Sequence, residues 1–477
     1  MVDDNRYGLF IDGEWIPGES YYSVRNKFSG EVIAMVTESS RQDVESAVSS
    51  SKEAFRTSNL TPYRRYEILQ AAANILQEQR EDIARTMSLE TGGTIRESRV
   101  EVDRATQDFI LSAEEAKRIS GEVIPIQASP GAENRFAVAM RFPVGVVCAI
   151  TPFNAPLSLA AHKIAPALAA GCTVVLKPSP AAPLTGLRFG QLLSEAGLPK
   201  GHLNIVTGSR NEVGEWLVQD ERIDFYTFTG SAAIGERIKA NSGLRRVTLE
   251  LGNSSAVIVM EDADLDRALP MFARGAFRKA GQVCVSVQRI YVQRDIYDEF
   301  VSRLADLAAN LKVGDPLDER TDVGPMISDA AAARAESWVH EAVQSGARLA
   351  TGGTRNGALF APTVLADVKA DMKVVCEEVF APVVSVAPFD TREEAVLLVN
   401  ETRYGLQAGV FTESLETAMY FARRLEVGGV NINDTSNFRA DLMPYGGVKD
   451  SGIGREGPKY AIEEMTEIRM LTFNLRQ

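Results

Sequence analysis

The chain is predicted to be an α/β protein of two doubly wound domains, each a mainly parallel sheet layered between helices, with a small β arm. Three observations carry that prediction. From about residue 141 strands alternate with helices, the alternation starts again after Gly252, and two short alternating segments lie outside both series. Strand–helix–strand repetition implies right-handed crossovers and parallel pairing. A chain of 477 residues also exceeds what one hydrophobic core supports.

The elements follow in order. In YEILQAAANILQEQ, Ile68, Ala72, Ile75 and Leu76 recur at helical spacing, and a second helix runs through 98–118. VGVVCAI (144–150) reads as a buried strand, and PLSLAAHKIAPALAAG as a helix closed by Gly171. CTVVLK (172–177), the helix LTGLRFGQLLSEAG, LNIVTG, DFYTFTG with the helix after it, and RVTLELG continue the series. The first domain is thus placed at 1–121 and 142–249. SAVIVM, a long helix up to Cys284, RIYVQ and a helix through YDEFVSRLADLAANL begin the second, at 250–445. The Gly/Pro/Asp-rich stretch 313–325 reads as a surface loop. The arm comprises 122–141, which alternates like a hairpin, and 455–477, which ends in the strand IRMLTFNL; exposed apolar edges of this kind need pairing. No internal repeat or low-complexity tract interrupts the chain.

Composition narrows the function classes. With 51 basic and 64 acidic residues the net charge is −13, which argues against nucleic acid or an anionic membrane as partner. No apolar run approaches the roughly 20 residues of a spanning helix. The start, MVDDNRYGLFIDGEW, lacks the basic and apolar regions of a signal peptide. Cys148, Cys172, Cys284 and Cys376 show no CxxC spacing, and His162, His202 and His340 lie far apart, so a reducing, cytoplasmic setting without disulfide or metal is expected.

A few residues carry chemistry. Cys284 follows a glycine in KAGQVCVSV at the predicted end of a helix, where a thiol can sit in an exposed, electropositive spot and act as a nucleophile. Alone, a cysteine among valines reads better as a small buried hydrophobe. Cys148 and Cys172 lie in or at buried strands, and the acids after Cys376 would raise its pKa, so these are poor nucleophiles. Glu250 ends a strand at the carboxyl edge of a parallel sheet, where such folds place their sites; a surface strand-end acid is the alternative. Asn154 in ITPFNAP is an oxyanion donor or a turn former. Lys177 ends another strand and either meets a ribose or phosphate or snorkels. Gly230 and Ser231 open a helix whose free amides suit a phosphate, although no GxGxxG is present.

Together these segments resemble the aldehyde dehydrogenase superfamily over essentially the whole chain, in the family's order: TPFNAP at 151, KPS at 177, FTGS at 228, ELG at 250, GQVC at 281, EEVFAPV at 377 and PYGGVKDSGIGREG at 444. The resemblance implies two Rossmann-like domains with an oligomerisation arm, and oxidation of an aldehyde to its acid with NAD or NADP. Cys284 would attack the aldehyde carbon, Asn154 and the Cys284 amide would hold the oxyanion, and Glu250 would activate the water that hydrolyses the thioester and help deprotonate the thiol. Thr151, Pro152, Phe153, Lys177, Ser179, Gly208, Phe228, Thr229, Gly230, Ser231, Leu251, Gly252, Glu378 and Phe380 would line the cofactor, with Lys177 at the adenosine ribose, Ser231 at the pyrophosphate and Glu378 at the nicotinamide ribose. The chain departs from the family at Asn253, where ELGG is usual, and at Ala381, where FGP is frequent. Pro180 replaces a Glu that many NAD-preferring members carry after KPS, which leaves NADP admissible.

The motifs lie closest to the lactaldehyde and non-phosphorylating glyceraldehyde-3-phosphate branch, which handles short hydroxylated or anionic aldehydes. Arg104, Phe153, Val283, Val285, Phe438 and Arg439 are the expected substrate contacts. The two arginines would grip a phosphate, sulfonate or carboxylate, or form ion pairs with Glu101 or Asp441. His162 and Val283 stand where semialdehyde and phosphonate or phosphate specialists tend to carry arginine. Succinate-semialdehyde or other semialdehyde dehydrogenases, CoA-acylating enzymes and a non-enzymatic lens-type protein are the rivals; Glu250 argues for hydrolysis, and Glu250 with Cys284 against a dead enzyme. The family pairs the strands near 135–141 and 468–475 between subunits, so a homodimer or homotetramer is expected.

Overall fold

The computed structural model describes residues 5–475; residues 1–4 and 476–477, the outer ends of the expected first domain and arm, lie outside the described residues. The first sheet has eight strands. From edge to edge they are Gly452–Ile453, Arg246–Glu250, Phe225–Thr229, Val146–Ile150, Thr173–Lys177, Leu203–Ile205, Leu9–Ile11 and Glu14–Ile16, the middle five parallel. Its alternate side chains enter different cores. Val147 and Ala149 pack under the helices Ile95–Ala116 and Pro156–Ala170, whereas Val146 and Cys148 face Arg41–Thr57 and Glu212–Gln219. Burial on both faces explains the uninterrupted apolar run, and each such valine contributes roughly 1.5–3 kcal/mol.

The second sheet runs Arg348–Thr351, Thr363–Ala366, Val383–Phe389, Arg289–Gln293, Ala256–Val259, Gln407–Phe411 and Gly429–Ile432; only its first strand is antiparallel. Val257 and Val259 face one core, Ala256 and Ile258 the other. The two doubly wound units expected from the alternation are therefore present.

Local signals set the elements that matter for the site. A capping box of Thr94 and Glu97 starts the helix Ile95–Ala116. Glu101 on that helix accepts from the first amides of Pro156–Ala170, Leu157 at 3.0 Å and Ser158 at 3.2 Å, and Gly171 closes that helix at φ 92°.

Four expectations are corrected. The helix leading to Cys284 stops at Phe277, because the chain turns into a left-handed conformation at Lys279. The stretch 313–325 is irregular but not all surface: most of 321–325 is buried, and a Cβ on Gly324 would lie 2.0 Å from the Gly92 carbonyl. The arm strands pair with each other inside one chain, Thr466–Asn474 against Arg135–Pro143 in a continuous antiparallel ladder, with Glu122–Ile124 beyond. Arg135–Pro143 is thus paired on both sides within the chain, whereas Thr466–Asn474 stays at the sheet edge, and the arm also leaves apolar surface open: Val123, Met140, Ile468 and Phe473 are exposed. Within 455–477, the helix Pro458–Glu464 packs on Pro156–Ala170 instead, through Ile462 and Met465. No helix among the described residues is long and apolar enough to cross a membrane.

Candidate active site

Three consecutive left-handed residues, Lys279, Ala280 and Gly281, with φ of 49°, 51° and 69°, bring the chain out of Leu265–Phe277. Glycine is required at 281, since a Cβ there would lie 2.0 Å from the Ala381 carbonyl oxygen. Lys279 carries a side chain in a conformation that costs about 1 kcal/mol or more, so its surroundings must hold it. Glu97 accepts from its amide at 2.7 Å, and its ammonium donates to the Asn154 carbonyl at 2.8 Å and to Glu101. The turn then sets Cys284, half-buried, between Val283 and Val285.

Cys284 lies in the wall of a cavity of about 590 Å³ that Asn154, Arg104, Arg278, Val283, Val285, Arg439 and Tyr445 also line. Its sulfur sits 3.2 Å from the Tyr445 hydroxyl. Burial raises the thiol pKa, as do Glu250 and Glu378, while Tyr445 and Arg439 oppose the rise. The exposed, electropositive setting expected for this thiol is thus corrected: it is partly enclosed and must be ionised by its neighbours. The other cysteines are worse placed. Burial pushes Cys148 up to about 12 and Cys172 up to about 11. Cys376 is exposed, but burial of part of the thiol and the Glu377 charge raise it too.

Asn154 donates through Nδ2 to the Gln282 carbonyl at 2.9 Å, and its Oδ1 is buried without a partner. Glu250 ends its strand with both carboxylate oxygens buried and unpartnered. Burial, then the charge of Glu456, raises its pKa well above the ordinary 4.5 against Arg439, Lys163 and Arg455. Glu456 moves the other way: burial alone would raise it, but Lys163 at 2.7 Å and Arg439 at 3.1 Å pull it down to about 2. Two carboxylates driven apart in this manner suit different tasks, Glu456 a fixed charge and Glu250 a proton acceptor.

The first sheet reverses its strand order between Val146–Ile150 and Phe225–Thr229, and ligands of such folds bind in the crevice at that switch. Thr151, Pro152, Phe153 and Asn154 leave one strand there, and Gly230 and Ser231 the other. Ser231 precedes Ala232–Asn241 without capping it, which leaves the first amides free. Thr151 and Thr229 hydroxyls are buried without partners. On the neighbouring strand Lys177 is buried, with Ser179 two residues on, and Gly208 follows Leu203–Ile205 beside it. Phe228 is buried beneath Gly230, and Leu251 packs on Gly235. Across the cleft Glu378, raised to about 7 by burial, accepts from the Asn253 amide at 3.0 Å. A Cβ on Gly252 would come within 2.9 Å of that carboxylate. The side chain of Asn253 is absorbed by Ser255 and Leu406, so the usual glycine is dispensable there. Phe380, left-handed at φ 50°, meets Phe153 edge to face at 6.0 Å. Unsatisfied hydroxyls, a buried lysine, open helix amides and a glycine-floored carboxylate are a donor set that fits a dinucleotide.

At the substrate end each expected arginine has a carboxylate. Arg104 pairs with Asp441 at 2.5 Å, not with Glu101, which is taken by Lys279. Arg439 pairs with Glu456 and lies 3.7 Å from the centroid of the Tyr445 ring. Phe438 is half exposed and does not line the cavity. Two cations of the cavity wall have no ion pair or side-chain hydrogen bond among the described residues, the exposed Arg274 and the half-buried Arg278; Arg278, whose Nε is buried, was passed over in the sequence. Burial presses its pKa down against the pull of Glu97, and Arg104 adds to the pressure. Its only signal in the sequence was its place six residues before Cys284. Tyr445 was also missed, being visible only as part of PYGG.

The profile of the aldehyde dehydrogenase family matches residues 15–471. The chain belongs to the aldehyde dehydrogenase family. This dehydrogenase is 50% identical over 475 residues to the 3-sulfolactaldehyde dehydrogenase of Priestia aryabhattai, covering 100% of this chain and 99% of that protein. Among solved structures it superposes on aldehyde dehydrogenase 21 from Physcomitrella patens in complex with the reaction product succinate, with TM-score 0.96, 39% identity and 99% of each chain covered. It also superposes on the glyceraldehyde-3-phosphate dehydrogenase of Methanocaldococcus jannaschii complexed with NADP, with TM-score 0.91, 41% identity and coverage of 95% of this chain and 98% of that one. The dehydrogenase is thus an oxidoreductase acting on aldehydes.

Proposed function

We propose that this aldehyde dehydrogenase oxidises a short, hydroxylated, anionic aldehyde of the 3-sulfolactaldehyde type to its carboxylic acid by hydrolysis of a Cys284 thioester. The observation that carries the substrate class is Arg278, a half-buried guanidinium unpaired among the described residues in the wall of the cavity that contains the nucleophile. A partly buried guanidinium whose Nε has no partner is better satisfied by a ligand that supplies an anion. The half-identical 3-sulfolactaldehyde dehydrogenase acts, by its name, on such a ligand.

Cys284 adds to the aldehyde carbon. Asn154, its Nδ2 now resting on the Gln282 carbonyl, turns to the oxyanion together with the Cys284 amide. A bound nicotinamide dinucleotide supplies the hydride acceptor. Glu250 takes a proton from the water that releases the acyl group from Cys284. Arg278 holds the anionic tail, with Arg104 at its side tethered to Asp441.

Arg278→Ala is expected to lower kcat/KM for 3-sulfolactaldehyde by roughly tenfold to a hundredfold, the equivalent of a charge-assisted bond of about 1.5–3 kcal/mol. Propanal should be nearly unaffected. Equal losses on both substrates, read from reduced cofactor at 340 nm, would make Arg278 a structural residue.

The cofactor reading favours NADP at a rate equal to NAD or better. Pro180 supplies no carboxylate to repel a 2′-phosphate, Lys177 brings a positive charge, and Arg210 is exposed on the loop after the adjacent strand. Pro180→Glu should move the NADP/NAD preference toward NAD by roughly tenfold, since about 1.4 kcal/mol of repulsion is a factor of ten. A wild-type enzyme that ignores NADP contradicts this reading. The apolar faces of the arm support a homo-oligomer, in which they are buried.

A further inference from the structure

We infer that the Tyr445 hydroxyl is the donor that holds the Cys284 sulfur as a thiolate poised for attack, with Arg439 as the positioning residue behind it. The inference rests on Cys284 being the nucleophile.

Tyr445 is buried, and the thiol, 3.2 Å away, is the sole hydrogen-bond partner of its hydroxyl among the described residues. Phenylalanine would fill the same space without a polar atom to satisfy, so the hydroxyl has one visible task. The ring is clamped. Its backbone is bridged to Glu456, with the Tyr445 amide donating at 3.1 Å and the Glu456 amide donating back at 2.7 Å. Arg439 lies over the ring at 3.7 Å and is fixed by Glu456, which Lys163 fixes in turn. The cation withdraws charge from the phenol and sharpens it as a donor. This gives Arg439 a task other than gripping substrate.

The charged groups facing the sulfur are Glu250, Glu378, Arg439 and Arg278, and those facing the hydroxyl are Glu250, Arg439 and the sulfur itself. Burial and both carboxylates oppose a thiolate; the hydroxyl and Arg439 favour it. A hydrogen bond to an ionised acceptor is about twice as strong as one to a neutral acceptor, so the Tyr445 bond is strongest when Cys284 has lost its proton. That proton passes to Glu250 or to water in the cavity, and Tyr445 keeps its own. Hydrogen bonding also dulls a thiolate, but only with a Brønsted slope of about 0.4–0.5. A pKa lowered by about one multiplies the thiolate fraction by about ten and divides its reactivity by about three, a net gain of roughly threefold.

The test is alkylation of the full-length protein by iodoacetamide across pH, without cofactor, read on the Cys284 peptide by mass spectrometry so that exposed Cys376 does not interfere. In Tyr445→Phe the midpoint should rise by about one pH or more, and alkylation near pH 7.5 should fall roughly threefold or more. The rate of aldehyde oxidation should fall in parallel. Arg439→Lys, which keeps the charge but loses the flat stack, should shift the midpoint in the same direction by less. An unchanged profile in Tyr445→Phe, with wild-type melting, overturns the proposal. A shifted profile with undiminished turnover overturns the reading of Cys284 as nucleophile, and with it any part of Tyr445 in catalysis.

Discussion

Cys284→Ala is expected to lower aldehyde oxidation by about 10⁴-fold or more while the protein stays folded and still binds cofactor, the scale on which enzymes lose turnover when a covalent nucleophile is removed. The small side chain leaves the left-handed turn intact, because Gly281, Glu97 and Glu101 hold it and the thiol does not. Cofactor binding by calorimetry beside turnover at 340 nm separates the two effects. Turnover at the wild-type rate would remove the covalent step, since Cys148 and Cys172 are buried and pushed to about 12 and about 11.

Glu250→Gln carries the second large effect. A burst of reduced cofactor should persist, followed by a steady state slower by about 10²–10⁴-fold, as expected for loss of a general base. The pH dependence has a definite sign. Only the carboxylate accepts a proton from water, and burial holds the Glu250 pKa well above 4.5, so wild-type deacylation should fall as pH drops through that raised value. Stability runs the other way. The folded protein binds this proton more tightly than the unfolded chain, so the contribution is complete below 4.5 and is lost as pH rises through the folded pKa. Glu250→Gln removes that loss and should melt higher at neutral pH, a stabilisation obtained at the expense of function. A steady state unchanged by the substitution would assign water activation to another group.

The sequence made the strands and the chemistry around them legible for a local reason. In a doubly wound domain the apolar period, the closing glycine of Pro156–Ala170 and the strand-end positions of Glu250 and Lys177 are features of a few adjacent residues. What it hid depends on distant partners. Arg104 finds Asp441 337 positions away, whereas Arg278 finds no carboxylate among the described residues, and nothing in FRKAG announces that difference. The turn before Cys284 shows a glycine only at 281; Lys279 and Ala280 are left-handed because Glu97, Glu101 and Asn154 hold the loop from the other domain. The arm strands looked like open edges because alternation says that a strand must pair but not with what. The ladder with Thr466–Asn474 answers that from within the chain for Arg135–Pro143, and leaves Thr466–Asn474 itself at the sheet edge.

In the proposed mechanism the oxidised substrate is carried as a thioester on Cys284 and released by Glu250. The direct measurement is intact-protein and peptide mass spectrometry of Glu250→Gln, quenched in acid after mixing with 3-sulfolactaldehyde and oxidised cofactor. An added mass equal to the acyl group is expected on the Cys284 peptide, formed within the burst and absent without cofactor. A burst with no adduct on Cys284, or an adduct on another cysteine, would contradict it.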